Sequence, residues 1–577
     1  MTGLDSETHN GKAVLICTPA QVLEPWRMRG QDRFLEICAW LRAIDKEGFC
    51  CWNADYDVQA ILKWLPRSVG ERLHRFSRAR YKGYRLRWVQ GKFFTVHKQK
   101  TRLVAIYDLM QFYACRLETA ATKHLPEGEM KTDPGVAWNE LFQAMKPRSP
   151  KRQQIIEYCR NDAKLVEMLY EKSRSHFERI GVKFDRPVSC AAIASQKFGK
   201  LFEHSVPKTI NRAFEKTFRG GRMECLRVGF FPEAWLYDLH SAYPSVIAEL
   251  PTIPTAWERI KNYVRDDARF AAVKAVLHVP KETRTGPLPV MGDGQLIYPT
   301  GRWMQWVDLE TFRLMEERGM IAAVLGGYQA ALGDWRYPFA EIREMYEERL
   351  KTPENAWALK ICMNAWYGKL AQRMEKWGRT RVVGPGVDAW NGCFWRRKEQ
   401  WTKKTCFVYA SAITSGIRAR MYREVDASKT IFYATDGVAL IEPDPKMKTG
   451  PALGEWSEGE RVTDLLVVGS GVYCYRQADG TVRTKFRGFD VGLDLYSLLD
   501  SPRRILEMSV KRNVTLAHAL IQRKWSELNE IQDVPRYLDC QFDRKRRWSD
   551  SRTGRKLLNG QFESEPWRYY DAVEVEK

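Results

Sequence analysis

Two groups of side chains in this 577-residue chain have the types and spacing that phosphate chemistry needs. In the first, Asp5 and Glu7 alternate on a predicted strand, so both carboxylates point to one face. Asp57 follows in Asn53-Ala54-Asp55-Tyr56-Asp57, at the start of a predicted helix. Tyr158 and Asp162 lie one turn apart on a helix predicted over Gln153–Arg174 from the recurrence of Ile155, Ile156, Cys159, Leu165, Val166 and Leu169. Four converging carboxylates and a phenol could hold two hard divalent cations, activate a water and stabilise a leaving oxygen in phosphodiester hydrolysis. In the second group, Asp238 ends a predicted strand, and Ser241-Ala242-Tyr243-Pro244 leads into a helix whose N–H groups can meet a triphosphate. Lys360, Asn364 and Tyr367 share one face of a helix predicted over Ala356–Gln372. Asp436 sits at a turn between two strands predicted within Thr430–Pro443.

Composition points to the same class of partner. The net charge of +22 suits a polyanion, most simply nucleic acid. Thirteen basic residues between Lys63 and Arg102, against the single acid Glu71, carry +12 of it, with Tyr81, Tyr84, Trp88, Phe93 and Phe94 interleaved. Cations for phosphates and aromatic faces for stacking suit single-stranded nucleic acid. This stretch, Arg78 and Arg80 included, is expected to line the path of a single-stranded primer end or template. A second basic run, Arg544 to Arg547, lies beside Trp548. No apolar run reaches the ~20 residues of a membrane span, and the N-terminus does not read as a signal peptide. The 13 scattered Cys, with no C-x-x-C pair, predict neither disulfides nor a zinc ribbon but a reducing, cytoplasmic setting. Strand and helix signals mix throughout. Phe34–Ile44 and Tyr337–Leu350 read as helices. Phe93–Val96 with Arg102–Tyr107, and Val472–Lys485, read as hairpins, and the tail from Asp500 reads as mostly helical.

The first group resembles the three motifs of DnaQ-type 3′→5′ proofreading exonucleases, with Tyr56 where Phe is more usual. The resemblance makes Asp5, Glu7, Asp57 and Asp162 metal ligands. It makes Tyr158 the residue that orients the attacking water, and Asn53 and Tyr56 contacts to the single-stranded primer end. The second group resembles motifs A, B and C of family-B DNA polymerases. The resemblance makes Asp238 and Asp436 the metal-binding pair, with Tyr243 stacked under the incoming sugar. Lys360, and Lys351 upstream, would grip the phosphates, with Asn364 beside them and Tyr367 against the nascent pair. Phe218-Arg219-Gly220-Gly221 resembles the Y-x-G-G linker that passes primer between synthesis and editing. The chain departs from the family at Ala365 (for Ser), Ala434 (for Asp), Gly437 (for Ser) and Gly471, which stands where the Lys of K-x-Y is expected before Tyr473. Lys485, on the returning strand, is a nearby charge.

The resemblance implies an α+β multidomain chain: an RNase H-like (DnaQ-type) exonuclease domain over 1–189, then a right-hand palm, fingers and thumb over 190–577. Expected palm spans are about 218–334 and 405–490, fingers about 335–373 and thumb about 491–577. Long intervals between the motifs resemble the two insertions of the protein-primed branch found in phages and mobile elements, here about 255–330 and 374–404. The expected activity is template-directed DNA synthesis with proofreading, protein priming and strand displacement, using Mg²⁺ or Mn²⁺. Expected partners are primer–template and single-stranded DNA, dNTPs and a terminal priming protein, with the chain a monomer. Two alternatives stand beside it: a primer-independent polymerase, and a nuclease or DNA-binding factor with an inactive polymerase domain.

Overall fold

Asn10 and Gly11, at φ 50° and 68°, make the left-handed two-residue turn that a tight hairpin needs. They join strands Asp5–His9 and Lys12–Cys17. The computed structural model describes residues 1–135, 140–199, 206–292, 294–331, 335–381, 393–486, 494–500, 505–539, 544–548 and 560–572. A six-stranded sheet accompanies the hairpin. Thr2–Gly3, Phe49–Cys51 and Thr101–Asp108 run parallel, and Phe93–Lys98, Tyr84–Val89 and Arg78–Tyr81 continue antiparallel to the far edge. The helices Arg33–Ile44, Ala54–Leu62 and Arg152–Arg179 pack around these strands. The last buries Ile155, Ile156, Cys159, Leu165, Val166 and Leu169, the stripe read from the sequence.

Strand Arg227–Asp238 is the axis of a second, nine-stranded sheet. It pairs with Gly437–Leu440 on one side and Glu460–Gly469 on the other, and the order continues through Thr430–Thr435 to Arg222–Cys225 and through Val472–Arg476 to Val482–Phe486. Between the motifs, Glu258–Ile260, Phe270–Val279, Gly301–Asp308 and Ile321–Ala330 form a four-stranded sheet with helix Leu309–Glu317, inside the first interval expected as an insertion. Strands Arg373–Arg381 and Cys393–Trp401 form a hairpin in the second interval, whose residues 382–392 lie outside the described residues. Helices Glu341–Lys351 and Pro353–Ala365 stand between them. The second helix ends earlier than the sequence predicts and passes into a 3₁₀ turn, Trp366–Lys369. Tyr367 is therefore carried by that turn and not by a continuous helical face.

The tail departs most from expectation. Ile505–Asn513 and Ile531–Asp539 are paired antiparallel strands, and Gln561–Glu565 adds to the start of Arg227–Asp238. Only short helices, such as Leu516–Ile521, are present among its described residues. Pro535, which lacks the N–H a helix interior uses, sits within the second strand. The Arg544–Arg547 run is also not a simple basic surface. Arg546 is 1% exposed, its Nη1 pairs with Glu224 at 2.5 Å and its Nε donates to Ser564.

Glu224 receives a second cation, Arg222, at 2.9 Å and a hydroxyl from Thr285 at 2.7 Å. Arg222 itself lies over the rings of Tyr298 and Tyr433 at 4.3 and 4.4 Å. The ion network thus joins the central sheet, the segment around Thr285 and the chain's tail. Breaking a buried pair from one side costs about 3–5 kcal/mol because a charge is left unpartnered. Arg546→Met is expected to lower the melting temperature by several degrees, read by circular dichroism. An unchanged melting curve would remove the network from the interactions that hold the tail.

Candidate active centres

The N-terminal carboxylates converge from three elements. Asp5 and Glu7 come from the first hairpin, Asp57 from helix Ala54–Leu62 and Asp162 from helix Arg152–Arg179. Asn53, at φ 62°, turns the chain into the second of these, and Ser6 donates to Asp57 Oδ1 at 2.6 Å. Burial, then the negative charge of Asp162, raises Asp5 to about 7. Glu7, Asp57 and Asp162 are also raised, burial being the largest cause in each. The Tyr158 hydroxyl bonds to Asp162, and the phenol is pushed up by burial and by Asp162, Glu7 and Asp5. Tyr56 bonds its hydroxyl to Thr8 at 2.7 Å.

Two members of this centre are absent from the motif reading. Lys131 bonds Asp162 Oδ2 at 2.5 Å and lies 5.1 Å over the Tyr158 ring. It comes from an irregular segment with no periodic signal. Cys159 sits inside the third motif, where the sequence marks it only as core. Its thiol lies within 4.8 Å of carboxylate oxygens of Asp5 and Glu7. Crowded buried carboxylates and an Asp162 Oδ1 with no hydrogen-bond partner suit a hard divalent cation.

The second centre forms where Asp238 ends its strand opposite Gly437, beside the Asp436 turn. A Cβ on Gly437 would stand 2.9 Å from Asp238 Oδ1, so glycine leaves that carboxylate its room. Thr435 holds φ 67° and Ser241 φ 50°, conformations that cost L-residues energy and here shape the loops bearing both aspartates. Asp238 is raised to about 6 by burial and then Asp436, with Lys360 and Lys485 opposing. Asp436 is raised by burial and lowered by Lys360. This carboxylate pair also fits a divalent cation.

Tyr243 and Tyr367 pack with ring centroids 4.6 Å apart and planes tilted by 32°, and Asn364 donates to the Lys360 carbonyl. Lys351 is exposed and paired with Glu347 at 3.4 Å, whereas Arg349 reaches Ser241 Oγ at 3.0 Å. Helix register thus turns Arg349, two positions before Lys351, toward Ser241. Tyr473 is the direct cross-strand partner of Lys485. This register places the Lys485 charge on the same face of the sheet as Tyr473. In Phe218-Arg219-Gly220-Gly221, Phe218 packs on Phe407, and buried Arg418 donates to the Arg219 and Gly220 carbonyls at 2.8 Å each. A Cβ on Gly221 would meet Thr435 and the Tyr243 hydroxyl within 3 Å. Arg78 and Arg80 stand apart, on the far edge strand of the N-terminal sheet.

Between its unfolded value of 3.8 and about 7, Asp5 holds its proton more tightly in the fold. Its contribution to stability therefore falls as pH rises through that window, until a cation offsets the charge. Mg²⁺ should raise the melting temperature more at about pH 8 than at about pH 5, and Asp5→Asn should shrink the difference. Equal Mg²⁺ shifts at both pH values would contradict this.

The family described as DNA polymerase type B, organellar and viral, matches residues 136–383. That span contains Tyr158, Asp162, Asp238, Tyr243, Lys360, Asn364 and Tyr367. A search of curated proteins gives no match. Among solved structures the fold is similar to Phi29 DNA polymerase complexed with primer-template DNA and incoming nucleotides: TM-score 0.68 and 12% identity over 93% of this chain and 99% of that one. The orthorhombic form of Phi29 DNA polymerase gives 0.65 and 13% over 94% and 98%. Its complex with single-stranded DNA gives 0.59 and 13% over 85% and 92%.

Proposed function

Taking the chain as a type B DNA polymerase by family and fold, we propose that it extends a DNA primer on a template and removes mispaired 3′ ends. The observation that carries this reading is the pairing of Asp238 with the Asp436 turn, with Lys360 close enough for its charge to oppose the upward shift of both carboxyls. Divalent cations, Mg²⁺ or Mn²⁺, held there would lower the pKa of the primer 3′-OH and neutralise the departing pyrophosphate. The chain's own residues orient the reactants. Lys360 and Arg349 face the triphosphate, with Asn364 beside them. Tyr243, backed by Tyr367, excludes a 2′-hydroxyl. Tyr473 and Lys485 hold the primer terminus, and Phe218 to Gly221 steer the strand between the centres.

At the first centre, Asp5, Glu7, Asp57 and Asp162 would hold the cations for hydrolysis, and Tyr158 and Lys131 would orient the attacking water. Asn53 and Tyr56 contact the unpaired 3′ end. We assign the exonuclease to residues 1–189 and polymerisation to 190–577. The four-stranded inserted sheet is the dock for a priming protein, and the Arg373–Trp401 hairpin is a clamp that supports strand displacement.

Asp238→Ala or Asp436→Ala should reduce primer extension by at least a thousandfold (about 4 kcal/mol of barrier). Extension at the wild-type rate by Asp238→Ala would sink the assignment. Asp5→Ala with Glu7→Ala should abolish 3′ degradation and spare extension. On unprimed circular single strands with dNTPs, the expected result is no product without a priming protein; product would favour the primer-independent reading. A protein that degrades 3′ ends yet incorporates nothing with either metal would favour an inactive polymerase domain.

A further inference from the structure

At the free edge of the N-terminal sheet, arginines stand directly opposite arginines. Arg78 faces Arg87 and Arg80 faces Arg85, and on the next strand Arg85 faces His97. Like charges so opposed weaken a strand pair. Among the described residues no carboxylate pairs with these four arginines, and Glu71, the single acid of the stretch, is held by Arg67 at 3.0 Å. The alternate residues Ala79, Leu86 and Val96 are buried in the core, so the strands' alternation turns the arginines outward. With Arg72 and Phe76 from helix Arg67–Phe76 they line an open groove of 610 Å³.

Charge on an edge strand can simply prevent sheet-to-sheet association. That purpose requires charge on the edge alone. Here it extends to the second strand and the flanking helix, at a cost to strand pairing. The face is also remote from the editing carboxylates. Five strand spacings of about 4.8 Å, roughly 24 Å in all, separate Arg78–Tyr81 from Thr2–Gly3, which leads into Asp5. Toward the other half of the molecule, Lys92 adds its field to that of Lys404 at Lys369, in the turn that carries Tyr367.

We propose that this arginine face is a third DNA site, which holds the sugar–phosphate backbone of a single strand outside both carboxylate centres. The proposal rests on the reading of the chain as a DNA polymerase. Arginines two residues apart on a strand lie about 6.7 Å apart, comparable with successive phosphates of an extended strand. Phe93, under Arg87 at 4.9 Å, and Phe76 add aromatic surface. Nothing in the groove presents the fixed donor and acceptor pattern that base selection requires, so binding is sequence-independent.

The test is equilibrium binding of the full chain to long (roughly 40-nucleotide) and short (roughly 6-nucleotide) fluorescent single strands across a salt series without divalent cations. Replacing Arg78, Arg80, Arg85 and Arg87 together by Ala should weaken long-strand binding at least tenfold and leave short-strand binding in place. The salt slope should fall by about 0.7 for each phosphate that is no longer neutralised, about 3 for the four arginines together. The fourfold Arg→Lys variant should keep the slope. If the fourfold Ala variant fails to fold, Arg80→Ala with Arg85→Ala should give about half the change. An unchanged long-strand slope overturns the proposal and leaves an acidic protein surface as the partner to seek. Equal weakening for long and short strands also overturns it and assigns the arginines to the editing path. Because no nucleotide is incorporated, the result is independent of the Asp238→Ala test of polymerisation.

Discussion

The buried meeting of Arg222, Arg546 and Glu224 is the interaction on which the arrangement of the nine-stranded sheet and its two carboxylates depends. Three charges are withdrawn from water, which is tolerable only because each is met: Glu224 by two guanidinium groups and a hydroxyl, Arg222 by two tyrosine rings, Arg546 by Ser564 as well. Glu224 lies on the strand paired with Thr430–Thr435, whose end becomes the Asp436 turn. Fixing that strand fixes where Asp436 meets Asp238. The network also explains why the tail returns to the central sheet after the Ile505–Asp539 hairpin.

Both centres work against their own electrostatics. Burial and neighbouring carboxylates raise Asp5, Glu7 and Asp238, so the ionised forms are held at a cost. Cations already in the protein relieve part of it: Lys131 at the first centre, Lys360 and Lys485 at the second. The left-handed conformations of Asn53, Ser241 and Thr435 add backbone strain at the loops that aim the carboxylates. Such a site is held by its surroundings and is poised to gain stability when a divalent cation binds.

The two halves are coupled by packing. The helix that carries Asp57 and Tyr56 is tied to the tail: Gln59 accepts from the Leu516 N–H at 2.7 Å, and Asn529 donates to the Tyr56 carbonyl at 3.1 Å. Val514, Leu516 and Leu528 join the core beneath the N-terminal sheet. On the other side, helix Arg152–Arg179 packs on Pro353–Ala365, with Phe177 against Trp357. The N-terminal segment and the rest of the chain therefore share cores, and the tail is bonded directly to the helix that presents Asp57.

The sequence by itself determined the ordered motifs, because their chemistry demands particular residues at particular offsets along single strands, turns and helices. Asp5 with Glu7, Tyr158 with Asp162 and the Asp436 turn are local patterns of this kind, as is the +12 stretch, whose alternation already separates Arg78 and Arg80 from Ala79. What only the tertiary structure decided are relations between distant segments. Lys131 reaches Asp162 from a loop without periodicity, Lys485 faces Tyr473 through strand register, and Arg349 meets Ser241 through helix register while Lys351 pairs with Glu347. The tail's strands were hidden for a related reason. They are charged, and their pairing comes from partners elsewhere in the chain, so tertiary contact outweighs local propensity.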